Sequence, residues 1–503
     1  MHLSTGDWLN DSRGLLNHLA RSLRDHPWEA AGLSAIAYAI YLISDRWLWS
    51  PLRDIPGPKA AIFSRFYIAN IRASGKEYLW IQDLHETYGN IVRIGDPKTV
   101  ILSDPSALKE IYGTQQFIKS DFHAPFSFKN VPNIFSTRDP SEHNRRRRLM
   151  SHGFSMSNIA SMERFILDSG VIKLMDKFDK RFAGKGIEVN MYNEWHCMAF
   201  DVIGELAYGQ SFGMIDRGHH PFTKWLAGAR GIPIVQGTFP ILARAPGCLM
   251  FCITPVSYLN QRRMFRFAQD LYAARRRMGK EVDRPDLMSL LINGVDPETG
   301  EQLTYDEQIT ESLAFVIAGT DTTSNTLTNL IFLLCEHPQV LQRLQQELDK
   351  VMPDRNAAMS YKRLDKEHAP FLWAVLMESM RLRTVVPTGL PRLVPKGGCA
   401  LAGHYLPEGT EVSINPHMVH HDPEIFSNPD KFLPDRWLTE DSAKLARYHI
   451  PFSLGPRMCI GKNIAWMELT LALAHLVWRF KFSLADPEKQ TKISHFFLTR
   501  PGI

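Results

Sequence analysis

One cysteine near the C-terminal end, Cys459, lies in a loop that constrains the fold more than any other segment of the chain. The loop reads Phe452-Ser453-Leu454-Gly455-Pro456-Arg457-Met458-Cys459-Ile460-Gly461. Apolar residues then recur with helical spacing from Ile464 to Leu476, which predicts that Cys459 stands at the N-terminal end of a buried helix. The partial positive charge at that end of a helix favours a thiolate. The loop therefore predicts a cysteine thiolate that holds a haem iron.

The spacing within this loop separates it from an ordinary buried cysteine. A lone intracellular cysteine more often packs as a small apolar residue. The pattern F-x-x-G-x-R-x-C-x-G fixes five positions, and a chain of this length would match it by chance roughly once in several thousand cases. The loop resembles that of the cytochrome P-450 superfamily of haem-thiolate enzymes. The resemblance implies haem b as cofactor, with Cys459 as the axial iron ligand, Arg457 paired with a haem propionate and Phe452 beside the proximal sulfur; Gly455 gives the loop its backbone freedom.

Length and motif spacing together predict the domain organisation. A chain of 503 residues suggests about three domains on length alone. The motifs, however, run from His143 to Gly461 with no Gly/Ser linker or internal repeat between them, which indicates one large catalytic domain. By the resemblance, residues 61–503 form a mainly α fold with small β-sheets (α+β), the triangular helical haem domain of the cytochrome P-450 fold. Residues 91–94 and 99–102 are predicted as a β-hairpin, since both are rich in β-branched residues.

Charge and cysteine usage exclude some classes of protein. The net charge of +5 is slight for this size, which argues against a nucleic-acid-binding protein but permits contact with anionic lipid or an acidic redox partner. The six cysteines lack paired metal spacing and indicate a reducing compartment. Cys248 and Cys252 lie four residues apart without a nearby histidine, so a zinc site there is weakly supported.

The N-terminal region carries an apolar segment. Residues 30–43 are apolar, and extension to residues 27–48 reaches the length of a membrane-spanning helix, so a transmembrane anchor is predicted there. A buried or interfacial helix is the alternative. A polar or amphipathic segment, residues 1–26, precedes the anchor, and a proline-rich hinge, residues 49–60, follows it. The hinge resembles that of microsomal family members, which implies an endoplasmic reticulum membrane location with a single N-terminal anchor and a cytosolic catalytic domain.

A long helix is predicted from a capping box at Thr304-Tyr305-Asp306-Glu307 to Cys335. At its centre, Ala318-Gly319-Thr320-Asp321-Thr322-Thr323 interrupts an otherwise apolar pattern. By themselves these residues fit either a kink, with hydroxyls bonded to carbonyls one turn earlier, or a functional polar patch. The block resembles the family's oxygen-activation motif. The resemblance implies that Asp321 and Thr322 are catalytic and bring protons to the place where the O–O bond of dioxygen breaks.

A second motif, Glu378-Ser379-Met380-Arg381, places two opposite charges on one helical face. Alone, E-x-x-R is expected about once by chance and is usually a solvated surface pair. With Pro434-Asp435-Arg436-Trp437 downstream, it resembles the family's buried Glu-Arg-Arg network. The resemblance implies a structural role for Glu378, Arg381 and Arg436 in securing the segment that leads to the cysteine loop.

The basic run at residues 143–148 fits a solvated face, a localisation signal or a clamp for haem propionates. The resemblance places Arg147 where family members carry a basic propionate ligand. It places His143 where many members carry tryptophan, a departure that still leaves a hydrogen-bond donor. Neighbouring arginines would suit docking of an acidic flavoprotein. Arg392, in Leu390-Pro391-Arg392, is the second propionate partner that the resemblance implies.

The reaction predicted from these motifs is monooxygenation, in which one oxygen atom enters the substrate and the other leaves as water. The sequence around the hinge and the cysteine loop looks most like fungal monooxygenases of secondary metabolism, which implies an apolar polyketide or terpenoid substrate and electrons from NADPH through a separate NADPH-cytochrome reductase. The resemblance implies a pocket along residues 122–128, Phe315, Ala318, residues 385–388 and Phe496-Phe497. Core packing is an equal alternative for each of these aromatics.

Two other functions remain open at this point. The first is oxidative coupling, desaturation or rearrangement by the same cofactor without net oxygen insertion. The second is a non-enzymatic haem sensor or carrier, against which Asp321 and Thr322 argue. Retention or loss of an oxygen-18 label in the product separates monooxygenation from the first alternative.

Overall fold

The fold is mainly helical with small sheets, as the sequence predicts. The structure, a computed structural model, describes residues 27–94, 98–229, 231–239, 242, 245–278, 286–352, 359–486, 493–495 and 498–501. In chain order, the α-helices of this part of the chain are α1 Pro27–Ile43, α2 Lys59–Phe63, α3 Arg65–Ala73, α4 Glu77–Tyr88, α5 Leu108–Tyr112, α6 Pro140–Ser151, α7 Met156–Ser161, α8 Glu163–Ile166, α9 Ile172–Arg181, α10 Met191–Tyr208, α11 Met214–Arg217, α12 Pro221–Gly228, α13 Gly231–Thr238, α14 Gly247–Ile253, α15 Pro255–Arg277, α16 Leu287–Asn293, α17 Tyr305–Glu336, α18 Pro338–Val351, α19 Pro370–Leu382, α20 Pro416–His420, α21 Ser442–Leu445 and α22 Lys462–Arg479.

The strands form one five-stranded sheet and two hairpins. They are β1 Ile91–Arg93, β2 Thr99–Leu102, β3 Ile118–Lys119, β4 Arg392–Leu393, β5 Cys399–Leu401, β6 His404–Leu406, β7 Glu411–Ile414, β8 Ile493–His495 and β9 Thr499–Pro501. The large sheet has the order β1-β2-β7-β4-β3, and β5-β6 and β8-β9 pair separately. The predicted hairpin is present, with Ile91 opposite Leu102 in an antiparallel ladder. Because β3 pairs with β4, Lys119 lies directly opposite Arg392.

The long central helix α17 has the predicted start and nearly the predicted end. The Thr304 side chain accepts the N–H of Glu307, and the Glu307 side chain accepts the N–H of Thr304, which completes the capping box. The helix runs for 32 residues and ends at Glu336, one residue past the predicted end. Most of its residues are buried, because helices pack around it on several sides.

Helix α10 packs closely on the polar centre of α17, and a glycine makes this approach possible. A Cβ added at Gly319 would lie 3.1 Å from Cγ1 of Ile203 on α10, closer than most such contacts. His196 lies seven residues before Ile203 and therefore on the same face of α10. The absence of a side chain at Gly319 thus brings the face that carries His196 onto the polar segment of α17.

The predicted transmembrane anchor over residues 27–48 is not supported. Helix α1 has 17 residues, or about 26 Å at 1.5 Å per residue, and a π-helical turn over Ser44–Leu48 follows it. That turn is bonded to strand β1 of the five-stranded sheet, because Arg93 Nη2 donates to the carbonyl of Arg46 at 2.8 Å. Across the described ranges, no helix is both long enough and apolar enough to cross a bilayer. The predicted segment 1–26 lies outside the described residues.

Candidate functional site

The cysteine loop is held in a fixed shape by backbone contacts. The N–H of Cys459 donates to the carbonyl of Phe452 at 3.0 Å, and the N–H of Met458 donates to the carbonyl of Gly455 at 3.0 Å. Gly455 has a φ of 70°, and a Cβ at this position would lie 2.2 Å from the carbonyl oxygen of Tyr112. A side chain is therefore excluded at Gly455 both by the left-handed backbone and by the close approach of α5.

The groups around Cys459 stabilise a thiolate only in part, which suits a sulfur that binds a metal ion. Burial raises the pKa of the thiol, while the N–H of Gly461 and the charges of Arg147 and Lys462 lower it. Gly461 and Lys462 stand at the start of α22, as predicted, so the N-terminal end of this helix lies beside the sulfur. These partners offset only part of the cost of burial, and iron bound to the sulfur would supply the remaining positive charge. Cys459 also keeps accessible surface, so its side chain is open to a ligand.

Helix α17 presents a stripe of small side chains that leaves room beside it. Ala314, Ala318 and Thr322 follow one another at intervals of four residues, and all three retain accessible surface. Phe315, Val316 and Thr320 around them are buried. Such a stripe can lie against a flat cofactor, because small side chains permit close approach along the helix.

Four cationic side chains lie together near the cysteine loop. Three of them are the arginines that the resemblance implies, and strand β3 adds Lys119. Arg147 donates to the carbonyl of Met458 at 2.7 Å, Arg457 to that of Thr137 at 3.3 Å, and Arg392 to that of Pro391 at 3.1 Å. Lys119 donates to the carbonyl of Phe135 at 2.6 Å. Among the described residues, no ion pair joins any of these cations to a carboxylate.

The mutual repulsion of these cations appears in their pKa values. Burial and then the charges of Arg457 and Arg392 hold the pKa of Lys119 well below its ordinary value. Burial, with Arg392 nearby, lowers the pKa of Arg457 to about 10. Like charges directly opposite in a sheet, as for Lys119 and Arg392, are destabilising unless an anion compensates them. The two propionates of a haem are anions of the required kind, so the residues present fit the cofactor.

Two buried histidines complete this cationic cluster. His143 Nδ1 and His123 Nε2 are buried and lack a hydrogen-bond partner in the described structure. Burial, followed by Arg457 and Lys119, lowers the pKa of His143 to about 3, so the ring is neutral and offers an N–H. The structure thus places the predicted residues Arg147, Arg392 and His143 with Arg457. Sequence reasoning missed Lys119 and His123, because only strand pairing brings residues 118–119 to Arg392.

At the polar centre of α17, the structure shows features of both interpretations that the sequence left open, the back-bonded hydroxyls of a kink and a functional polar patch. Thr322 Oγ1 donates to the carbonyl of Ala318 at 2.7 Å, and Thr320 Oγ1 donates to that of Val316 at 2.7 Å. The hydroxyls therefore bond back one turn, as the kink alternative expected. The Asp321 carboxylate instead points to α10, where its Oδ1 lies 3.2 Å from Nε2 of His196. Sequence reasoning missed His196, which lies 125 residues away.

Glu378, Arg381 and Arg436 are brought together in the core. Arg381 Nε and Nη2 donate to the two Glu378 oxygens at 2.9 and 2.8 Å, and Arg436 Nε donates to Oε1 at 3.1 Å. Glu378 also accepts the backbone N–H of Leu433 at 3.0 Å and the indole N–H of Trp437 at 2.9 Å. The carboxylate therefore secures the segment that approaches the cysteine loop.

The remaining arginines of the basic run do not form the docking face expected from the sequence. Arg145 and Arg146 are buried and pair with Glu307, and Arg146 also contacts Glu311 at 2.9 Å. Arg148 pairs with Asp296 at 2.8 Å, and its side chain keeps 29% exposure. The expectation is wrong for Arg145 and Arg146, because their side chains are buried against carboxylates.

Aromatic side chains gather in the segment expected to line the pocket. Phe126 contacts Phe122 and Phe135, with ring centroids 5.7 and 5.1 Å apart, and the His123 ring lies 5.4 Å from that of Phe135. These side chains are buried or partly buried next to the cationic cluster. The predicted pocket residues Phe496-Phe497 lie outside the described residues.

Comparison with known proteins agrees with this geometry. The sequence profile described as "Cytochrome P450" matches residues 56–502. The chain is 31% identical to the benzoate 4-monooxygenase of Aspergillus niger, over 90% of this chain and 91% of that protein. It is 29% identical to the trichothecene C-15 hydroxylase of Fusarium sporotrichioides, over 91% of this chain and 92% of that protein. A cytochrome P-450 monooxygenase of Penicillium roqueforti is 29% identical, over 91% and 94% of the two chains.

Proposed function

The chain belongs to the cytochrome P-450 family and is a haem-thiolate monooxygenase, and from this premise we propose that it oxidises an apolar intermediate of fungal secondary metabolism. The observation that carries the reaction class is the Cys459 loop at the start of α22, with a cluster of unpaired cations nearby. A polyketide or terpenoid is the proposed substrate, with electrons from NADPH through a separate NADPH-cytochrome reductase. The relatives support a small organic substrate, since one is named for benzoate and another for a trichothecene.

The proposed reaction takes one substrate C–H bond, O2, NADPH and one proton from solvent to a hydroxylated product, water and NADP⁺. The bound haem supplies electron transfer and dioxygen activation. Cys459 would hold it from one face, and Arg147, Arg392, Arg457 and His143 would hold its carboxylates. Thr322 and Asp321 are proposed to bring in protons. Thr322 belongs to the accessible stripe of small residues on α17, which supports this role.

The proposed pocket excludes water from the reacting carbon. The Phe126 ring contacts those of Phe122 and Phe135, and aromatic side chains of this kind bind flat or bulky apolar molecules. Phe315 is buried against Phe154, with ring centroids 5.3 Å apart, so it belongs to the core behind α17. The expectation that Phe315 lines the pocket is therefore not carried forward.

The proposed location is the endoplasmic reticulum membrane, with the catalytic domain on the cytosolic side. Exposed apolar side chains on α1 support contact with lipid, since Trp28 is 88% exposed and Leu33 is 68% exposed. An interfacial helix buries such residues in the headgroup region without crossing the bilayer. The structure of α1 favours this alternative, which the sequence left open.

Oxygen-18 labelling tests the proposed reaction. The purified protein would be reconstituted with a fungal NADPH-cytochrome reductase, NADPH and ¹⁸O2, and offered a panel of benzoates, sesquiterpenes and aromatic polyketides. We expect one labelled oxygen per product molecule and one NADPH oxidised per product. Product without label would favour coupling, desaturation or rearrangement instead. Failure to consume NADPH with reductase in the presence of any substrate would favour the haem sensor or carrier.

Thr322→Ala is expected to uncouple NADPH oxidation from product formation. Haem binding should be retained, while loss of the hydroxyl diverts reducing equivalents to hydrogen peroxide and lowers product per NADPH by about tenfold or more. Peroxide and product are measured against NADPH in the same reconstituted system. Thr326→Ala is the matched control, because Thr326 makes the same hydroxyl contact one turn later, with the carbonyl of Thr322 at 2.9 Å. Equal coupling in both variants would contradict the role of Thr322.

A further inference from the structure

His196 on α10 and Asp321 on α17 lie in contact between the two helices. Nε2 of His196 lies 3.2 Å from Oδ1 of Asp321. The side chains are 13% and 9% exposed, so the contact lies at the boundary between the interior and solvent. The two atoms are therefore close enough for Nε2 to donate to the carboxylate.

The backbone around this contact places the two side chains with little freedom. Gly319, two residues before Asp321, permits the close approach of α10 through Ile203. Asn325 Nδ2 donates to the backbone carbonyl of Asp321 at 2.6 Å, one turn later on the same helix. The Tyr192 ring stands 5.8 Å from the His196 ring and restricts it on the side toward the start of α10.

Packing alone does not require a histidine at position 196, whereas the Asp321 carboxylate beside it does require a donor. A carboxylate near the interior is costly unless a donor or a positive charge compensates it. Asp321 is also next to Thr322, whose side chain reaches the accessible stripe of α17. A carboxylate that transfers protons must be held at one position yet remain connected to solvent. A partly exposed imidazole in contact with its oxygen meets both conditions.

We infer that His196 is a positioning residue for proton delivery: it donates from Nε2 to the Asp321 carboxylate and holds it between solvent and Thr322. This inference rests on the proposed function, because it requires Asp321 to carry protons. The imidazole touches neither substrate nor haem in this role. His196 keeps its own proton in this role, and the protons that Asp321 transfers are replaced from solvent.

The stoichiometry of oxygen reduction offers a test that does not need the natural substrate. Without a substrate, the reductase-driven protein either converts O2, NADPH and one proton to hydrogen peroxide and NADP⁺, or converts O2, two NADPH and two protons to two water molecules and two NADP⁺. The second reaction requires more proton delivery. The rate of NADPH oxidation, its solvent deuterium isotope effect and the peroxide released per NADPH therefore report on the path through Asp321.

Two substitutions distinguish donation by His196 from packing. His196→Phe keeps an aromatic ring but removes the N–H, whereas His196→Gln keeps an N–H donor and loses the ring. We expect His196→Phe to slow NADPH oxidation about tenfold and to enlarge the solvent isotope effect, with His196→Gln within about twofold of the parent. A packing role predicts the reverse order, because Phe fills the space better than Gln. The carbon monoxide difference spectrum and thermal midpoint of each variant check the fold.

Asp321→Asn separates failure of this inference from failure of the proposed role of Asp321. We expect Asp321→Asn to slow NADPH oxidation by the order of 100-fold, and His196→Phe to add little in the double variant, because both act on one path. An unchanged rate in Asp321→Asn would overturn the role of Asp321 itself. The inference about His196 alone would be overturned if Asp321→Asn slows NADPH oxidation but His196→Phe keeps the parental rate. It would also be overturned if the two effects add in the double variant.

Discussion

Cys459→Ala is expected to abolish the red-shifted Soret band of the reduced protein with carbon monoxide and all NADPH-dependent oxidation. The band depends on a thiolate ligand, and the loop places this thiol at the start of α22 with its backbone fixed by Phe452. An alanine side chain has no atom that can bind iron. The carbon monoxide difference spectrum of the purified variant, with total haem by pyridine haemochrome, measures the result.

Cys335→Ala is the matched control for this substitution. Cys335 is a half-buried free thiol at the C-terminal end of α17, and burial raises its pKa to about 11, so it lacks thiolate character. The parental spectrum is expected in Cys335→Ala. A retained thiolate spectrum in Cys459→Ala, or its loss in Cys335→Ala, would show that the iron ligand has been assigned to the wrong cysteine.

Glu378→Gln is expected to prevent accumulation of haem-loaded protein. The substitution leaves the buried guanidinium groups of Arg381 and Arg436 without their shared charge, at a cost of about 3 to 5 kcal/mol. That is a large share of the roughly 5 to 15 kcal/mol by which a folded domain is stable. The Gln side chain also has one acceptor oxygen in place of two, while Leu433 and Trp437 donate to different oxygens of Glu378. Haem content and the thermal midpoint of the purified protein measure the loss.

An exposed ion pair in the same region provides the control. Asp435, beside Arg436, contacts Arg343 at 2.6 Å, but the two side chains are 67% and 49% exposed. Asp435→Asn should leave haem content unchanged, because solvent already screens the pair. Similar haem loss in both variants would indicate a general sensitivity of residues 434–438 and would contradict a specific role of the buried Glu378 carboxylate.

Several elements could be predicted because the residues that specify each of them lie close together in the sequence. The capping box at Thr304 fixes the start of α17, and β-branched runs fix the hairpin β1-β2. The Cys459 loop combines a glycine-dependent turn with a helix start, and each is encoded within ten residues. The anchor predicted over residues 27–48 is not supported, since α1 ends at Ile43 and changes to a π-helical turn, which hydropathy does not report.

By itself, the sequence determined the cofactor class, the reaction class and the mainly helical fold, because these depend on short patterns of turns, caps and apolar spacing. Only the tertiary structure decided which distant side chains meet. Strand pairing set Lys119 opposite Arg392, and close helix packing at Gly319 brought His196 to Asp321. The placement of α6 beside α17 brought Arg146 to Glu311. These pairings depend on the distance and relative orientation of whole elements, which the spacing of residues along one element does not contain.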